Sequence, residues 1–407
     1  MSEEFKRKLK QYADGTLPDQ EREEMERELE KMEAYQAYLE EVMTASESSR
    51  DESEQADQIP ERRVPKGAER RIIRKGKWKA RLMNGLTGVG LILLLTIISG
   101  ILTGLFYGTG EPDRMTQYRD AVASAIAVSR PNVTAELNGQ GNAFFSMDLT
   151  GKLMKQIGDS RESAGELSIK FLMSLATSPQ ISWRDNRSWG IFHHPAYKPQ
   201  GQDTDTTEKS NSRTDDSEWA TLDKLPEGTV AEVFISMDRL IPIDELLQWL
   251  EPKNLEPVWF AADVGPSSWR DDSGIVMSPI GFPYQPLWHP GDMKVDQYSE
   301  RKTGWFGKVV MSSSSSPSVK AYGDGELRGQ NFLQTLKVLQ QYKSVTRQVA
   351  PFIKVDEAVD YVEKNGVQLY GLVLTGPSKE LLKLKQEPWV RNLRVGEVRL
   401  WNWNDRQ

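Results

Sequence analysis

The sequence predicts an α+β protein in three parts: a short helical segment, a single transmembrane helix, and a folded domain with a mixed β-sheet built on two β-α-β units. Three observations lead there. From Asn84 to Gly110 the 407-residue chain carries no Asp, Glu, Lys or Arg. Ahead of that run, Met25, Leu29, Met32, Tyr35, Leu39 and Val42 recur at spacings of four, three, three, four and three, the stripe of an amphipathic helix. Beyond it, Thr229 to Val264 and Gly366 to Trp403 each read as strand, proline-containing turn, short helix, strand, at nearly the same length.

The charge-free run is long enough to span. At a rise of about 1.5 Å per residue, the stretch from Gly85 to Tyr107 exceeds the roughly 30 Å hydrocarbon core of a bilayer. It holds 13 Leu, Ile, Val and Phe residues. Each contributes up to roughly −0.3 to −0.6 kcal/mol at the membrane centre, so insertion is favoured by several kcal/mol. A cleaved signal peptide would begin near Met1, whereas this run follows a long hydrophilic leader and is expected to be retained. Between Arg62 and Arg81 stand ten Lys and Arg against Glu69 alone, and Glu111 and Asp113 follow the run. The positive-inside rule then places the N-terminus in the cytoplasm, with Trp78 and Tyr107 at the two interfaces. The expected divisions are residues 1–45, a cytoplasmic helical segment; 46–83, an acidic linker and basic juxtamembrane block; and 84–110, the transmembrane helix. Residues 111–219 follow as an extracytoplasmic stalk and β-rich region, and residues 220–407 as an extracytoplasmic α+β domain.

Composition narrows the chemistry. The net charge of −7 is unevenly spread, since residues 1–61 hold 19 acids against 8 bases. An acidic leader argues against direct nucleic-acid binding, which needs Lys and Arg to neutralise phosphates. The basic block is a topology signal and a contact for anionic lipid. With no cysteine, the outer fold is held by its core rather than by disulfides, and thiol catalysis is excluded. Only His193, His194 and His289 are available to a metal, and the first two are adjacent, so in a strand they point to opposite faces. No cofactor is expected.

The inner segment reads as two helices. Phe5, Leu9 and Tyr12 share one face before Asp14-Gly15 breaks the pattern, and Thr16, Pro18 and Asp19 suit the start of a second helix. About forty residues with so few large apolar side chains bury too little surface to fold alone. Two readings stay open: a solvated tether with transient helices, or helices that fold against a partner, with Met and Leu in a groove and the acidic faces on a basic surface. The Ser- and acid-rich stretch from Ser46 to Pro60 reads as a flexible linker.

The block YADGTLPDQEREEMERELEKMEAYQAYLEE, with the transmembrane placement behind it and the C-terminal run GVQLYGLVLTGPSKELLKLKQEPWVRNLRVGEVRLWNW, resembles the membrane-bound anti-sigma factors of the sigma-M type from Gram-positive bacteria. The N-terminal likeness covers about Phe5 to Glu41. The zinc-binding His-x-x-x-Cys-x-x-Cys signature of another anti-sigma class is absent. The resemblance implies a non-enzymatic regulator that holds an extracytoplasmic-function sigma factor at the membrane and releases it according to envelope state. On that reading Met25, Leu29, Met32, Tyr35 and Leu39 make the contact, with Glu28 and Glu33 as charge partners.

Gly100, Gly104 and Gly108 repeat every fourth residue, a small-residue face suited to another membrane helix. The resemblance assigns that contact to a small membrane co-regulator or to a second copy of the chain. Met115, Tyr118, Val122 and Ala125 continue as a helical stripe expected to form a stalk. Val133 to Leu149 reads as two strands around a turn at NGQGN, while Pro199 to Glu218 and the SSSSSP run read as exposed loops. Two other functions compete. Trp183, Trp189, Trp259, Trp269 and Trp288 would suit a membrane-anchored protein that binds wall polymer, and Asp238, Asp244 and Glu245 around one turn would suit a hydrolase, although such acids more often cap helices.

Overall fold

The computed structural model describes residues 66–184, 192–196, 216–268, 275–303 and 307–401, except 254 and 256, together with scattered helical positions between Tyr12 and Tyr38. Helix α1, Lys66–Gly108, is unbroken and contains the predicted span up to Gly108, two residues short of its expected end. Its large apolar side chains are exposed from Leu82 to Leu105. Only 6% of its apolar window is buried, the opposite of a core helix, and the helix is long and apolar enough to cross a membrane.

The chain divides into two compact units at Thr87 and Gly88. Within the second, one hydrophobic core runs from Tyr107 to Leu393 and takes in residues on both sides of position 220. Helix α2, Arg114–Ser129, lies in that core. It starts where the Asp113 carboxylate accepts from the Thr116 amide at 2.9 Å, and it buries Tyr118, Ala121, Val122, Ala125, Ile126 and Val128. The expected stalk is therefore corrected: its apolar stripe is packed by protein, and the Trp259 indole donates to the Ala127 carbonyl at 2.8 Å from the central sheet.

Strands β1 (Val133–Asn142), β2 (Ser146–Ile157), β3 (Ser160–Leu172) and β4 (Leu175–Ala176) form an antiparallel sheet, with β5 (Gln180–Trp183) also on β3. The NGQGN stretch continues β1, and the turn falls instead at Ala143–Phe145, with Asn142 opposite Ser146. A short strand pair, β6 (Phe192–His193) and β9 (Ile275–Val276), lies beside the second sheet.

The second sheet carries the two predicted units. The first is β7 (Thr229–Pro242), α3 (Ile243–Leu250) and β8 (Pro257–Ala262), with β10 (Gly281–Pro283) on its edge. Then come the exposed hairpin of β11 (Lys294–Thr303) and β12 (Gly307–Ser315), and helices α4 (Gly325–Gln341), α5 (Lys343–Val349) and α6 (Val355–Asn365). The second unit is β13 (Gln368–Pro377), α7 (Ser378–Leu382) and β14 (Val390–Leu400). The strand order is β10-β8-β13-β7-β14 and every pairing is antiparallel, so the expected mixed sheet is corrected. Each unit's two strands run parallel but leave a gap, which a strand of the other unit fills. This is the split β-α-β arrangement of ferredoxin-like folds. Apolar residues of the two units face one another across the central pair: Leu372 opposite Ile235 and Leu374 opposite Val233, all fully buried. Most of the serine run is also strand, Ser312–Ser315 closing β12 rather than forming a loop.

A buried polar joint fastens the two sheets. Glu232 on β7 has no exposed surface; it lies 2.6 Å from the Lys155 ammonium on β2 and accepts from Asn132 Nδ2 at 2.8 Å. Its second oxygen also takes the Glu397 amide of β14 at 3.3 Å. Each charge buried here has a partner, as burial demands.

Candidate functional site

The inner segment is helical at its described positions, among them Arg22, Glu26, Glu30, Glu33, Tyr35 and Tyr38. Glu33, Tyr35 and Tyr38 are exposed, and the Tyr12 hydroxyl donates to the Glu26 carboxylate at 3.3 Å across fourteen residues. Met25, Glu28, Leu29, Met32 and Leu39, along with the cap residues Thr16 and Asp19 and the linker, lie outside the described residues.

Two adjacent faces of α1 have different surroundings. On one, Ser99, Thr103 and Tyr107 form a polar ladder at four-residue intervals, and all three are buried. The Ser99 hydroxyl accepts from the Phe144 amide at 2.6 Å, and the Thr103 hydroxyl from the Phe145 amide at 2.9 Å. The Tyr107 hydroxyl donates to the carbonyls of Met173, at 2.9 Å, and Phe145, at 3.0 Å. Tyr107 is thus held by the folded domain at 1% exposure rather than lying free, whereas Trp78 is exposed. One residue further round, Gly100, Gly104 and Gly108 are open: among the described residues, a methyl group built on any of them would meet nothing within 4 Å beyond its chain neighbours and the backbone of its own helix. The glycine face is open, with the close-approach surface that a second membrane helix needs.

The residues that competed for a catalytic reading have structural roles. Asp244 Oδ1 accepts from the Gly325 amide at 2.7 Å and so satisfies the first turn of α4. Asp238 and Arg239 make an exposed ion pair at 3.2 Å. His194 is buried 3.6 Å from Asp263, whose other oxygen accepts from the Tyr361 hydroxyl at 2.8 Å. The His289 ring is 3.4 Å from the Thr335 hydroxyl. No group of three or more metal-ligating side chains occurs among the described residues. Trp259 is fully buried and Trp183 and Trp288 are half-buried, while Trp189 and Trp269 lie outside the described residues. Trp259, at least, is core rather than a binding surface.

These buried groups make the domain sensitive to acid. Burial pushes His289 and His193 below their ordinary 6.5, the latter also repelled by Arg391 and Arg394. Burial raises Asp263, but hydrogen bonds from His194, Tyr361 and Gly265 outweigh it and hold the carboxyl below 3.8. At these two histidines the unfolded chain binds more protons than the folded one below 6.5, so their contribution to stability falls as pH falls. The thermal midpoint of the full chain is expected to drop on acidification below 6.5, and His289→Gln to flatten the upper part of that slope.

Comparison with known proteins agrees with this geometry. The chain matches the sigma factor regulator C-terminal family over residues 222–397 and the sigma factor regulator N-terminal family over residues 70–161. The first match takes in the split β-α-β units; the second takes in most of α1, then α2, β1 and β2, not the block from Phe5 to Glu41 that carried the resemblance. That block is reached by a full-length relative. The probable anti-sigma-M factor YhdL of Bacillus subtilis (strain 168) is 28% identical over 411 residues, covering 99% of this chain and 100% of YhdL. No solved structure matches. With both family matches in their expected order and a likeness that runs from end to end, the chain belongs to the sigma factor regulator family.

Proposed function

We propose that the chain is a single-pass anti-sigma factor that sequesters an extracytoplasmic-function sigma factor through its N-terminal arm and holds it at the membrane. The observation that carries this is the family membership joined to one exposed apolar helix placed between an acidic arm and a folded domain. An acidic amphipathic helix supplies what a DNA- and polymerase-binding protein leaves exposed: apolar side chains for its grooves and carboxylates for its basic surface. Met25, Leu29, Met32, Tyr35 and Leu39 make the apolar contact and Glu28 and Glu33 the charged one. The basic cluster before the span orients α1 with the arm in the cytoplasm and the split β-α-β domain outside, where it reads envelope state. Gly100, Gly104 and Gly108 receive a small membrane co-regulator or a second copy of the chain. Co-purification of the full chain from membranes tests this. A sigma subunit is expected to accompany it and to be lost when residues 1–41 are removed; a sigma subunit still bound to the shortened chain contradicts the reading.

A further inference from the structure

The two hairpin tips held by α1 lie where lipid is expected. Ser99 is nine residues before the end of α1 at Gly108, a descent of roughly 13 Å along the helix. Over that same stretch the other side of α1 shows Ile101, Leu102 and Leu105, each at least 45% exposed, so the lipid-facing surface continues past the point where the tips attach. The tips are themselves apolar. Phe144 at the β1–β2 turn, and Leu172, Met173 and Leu175 around the β3–β4 turn, are all about half exposed or more.

The backbone of the tips is unusual for such residues. Phe144, Phe145 and Met173 have φ of 61°, 54° and 54°, in the left-handed region that bulky side chains avoid. A strained turn persists only where its surroundings hold it, and here the surroundings are α1. Non-helical backbone is tolerated at membrane depth only when protein satisfies its polar groups. The Phe144 and Phe145 amides find the Ser99 and Thr103 hydroxyls, the Phe145 carbonyl takes the Met173 amide at 2.8 Å, and Tyr107 closes on the Phe145 and Met173 carbonyls. Phe106 and Phe145 add an edge-to-face ring contact with centroids 5.9 Å apart.

We propose that the two turns form a lipid-inserted foot. They enter the leaflet adjoining the folded domain, with Phe144, Leu172, Met173 and Leu175 in contact with acyl chains. The occupant of this apolar patch is the bilayer, because the patch continues the lipid-facing surface of α1. The domain is then clamped to the membrane surface and to α1, so a movement of the domain is passed to the helix rather than absorbed by a tether. The proposal rests on the membrane anchoring of α1, not on which side the domain faces or what the arm binds.

The absence of native cysteine makes the test clean. Phe144→Cys, Leu175→Cys and, as a reference, Asp159→Cys at the far end of β2 are each labelled with a polarity-sensitive fluorophore in the full chain, in phospholipid vesicles. The Phe144 and Leu175 probes are expected to emit further to the blue than the Asp159 probe. They are also expected to be quenched by nitroxides on the upper acyl chain and shielded from aqueous iodide. Probes as open to iodide as the Asp159 probe overturn the proposal. So does a blue shift without nitroxide quenching, which means a second copy or another protein covers the patch. A chain that alkaline carbonate strips from the vesicles overturns the anchoring itself; a retained chain with iodide-accessible tips overturns the foot alone.

Discussion

Replacing Leu29 and Met32 together by aspartate is expected to free the sigma factor while leaving the chain in the membrane. Burying a Leu or Met side chain is worth roughly 1.5–3 kcal/mol, and each aspartate adds the cost of a charge placed in an apolar groove. The pair should weaken binding by about 4–6 kcal/mol, on the order of a thousandfold or more. Sigma-dependent transcription then rises toward the level of a deletion, and capture of the sigma subunit by the chain is lost. The glutamates are expected to act differently. Glu28→Gln and Glu33→Gln slow association and make it less dependent on salt, since charge at an interface acts mainly on encounter. Unchanged capture by the Leu29→Asp, Met32→Asp chain would mean that the docking face is another one.

The second large effect lies in the folded domain. Glu232→Ala is expected to cost about 3–5 kcal/mol, because it removes the carboxylate that lies 2.6 Å from the buried Lys155 ammonium. Against the roughly 5–15 kcal/mol that holds a domain together, this is a large fraction. The thermal midpoint should fall by roughly 10 °C. Replacing both partners, as Lys155→Met with Glu232→Leu, removes the buried charge as well and should restore much of the loss. Because the joint fastens the β1–β2 hairpin to the split β-α-β sheet, hydrogen exchange in Glu232→Ala should rise first where β2 meets β7. A single variant as stable as the parent would show that the joint contributes nothing.

What could be read from the sequence was what periodicity and charge encode. The charge-free run marks α1, and the apolar runs of β7 and β13, with proline and a short apolar helix behind each, mark both units, because strands buried along most of their length need apolar residues whatever their neighbours are. Which strand fills the gap in each unit depends on pairing between segments over a hundred residues apart, and a local pattern carries no record of that. Hence the local pattern predicts a mixed sheet where the strands pair antiparallel. The Ala143–Phe145 turn was missed for a different reason. Its conformation goes against the preference of phenylalanine and is imposed by Ser99, Thr103 and Tyr107, some forty residues earlier, while the glycines and asparagines of NGQGN gave a false turn signal. The α2 stripe showed one apolar face but not what would cover it. Of the proposed contact residues, Glu33 and Tyr35 are exposed at helical positions, and the stripe that includes Tyr35 rests on sequence spacing.

The proposed function requires α1 to separate a sigma-binding arm from the folded domain by a bilayer. The most direct measurement is labelling of Ser48→Cys and Asp159→Cys chains with a membrane-impermeant maleimide, in intact cells and after permeabilisation. Asp159→Cys is predicted to react in intact cells and Ser48→Cys only once the membrane is opened. Equal reaction of both in intact cells, or reaction of Ser48→Cys alone, would contradict it.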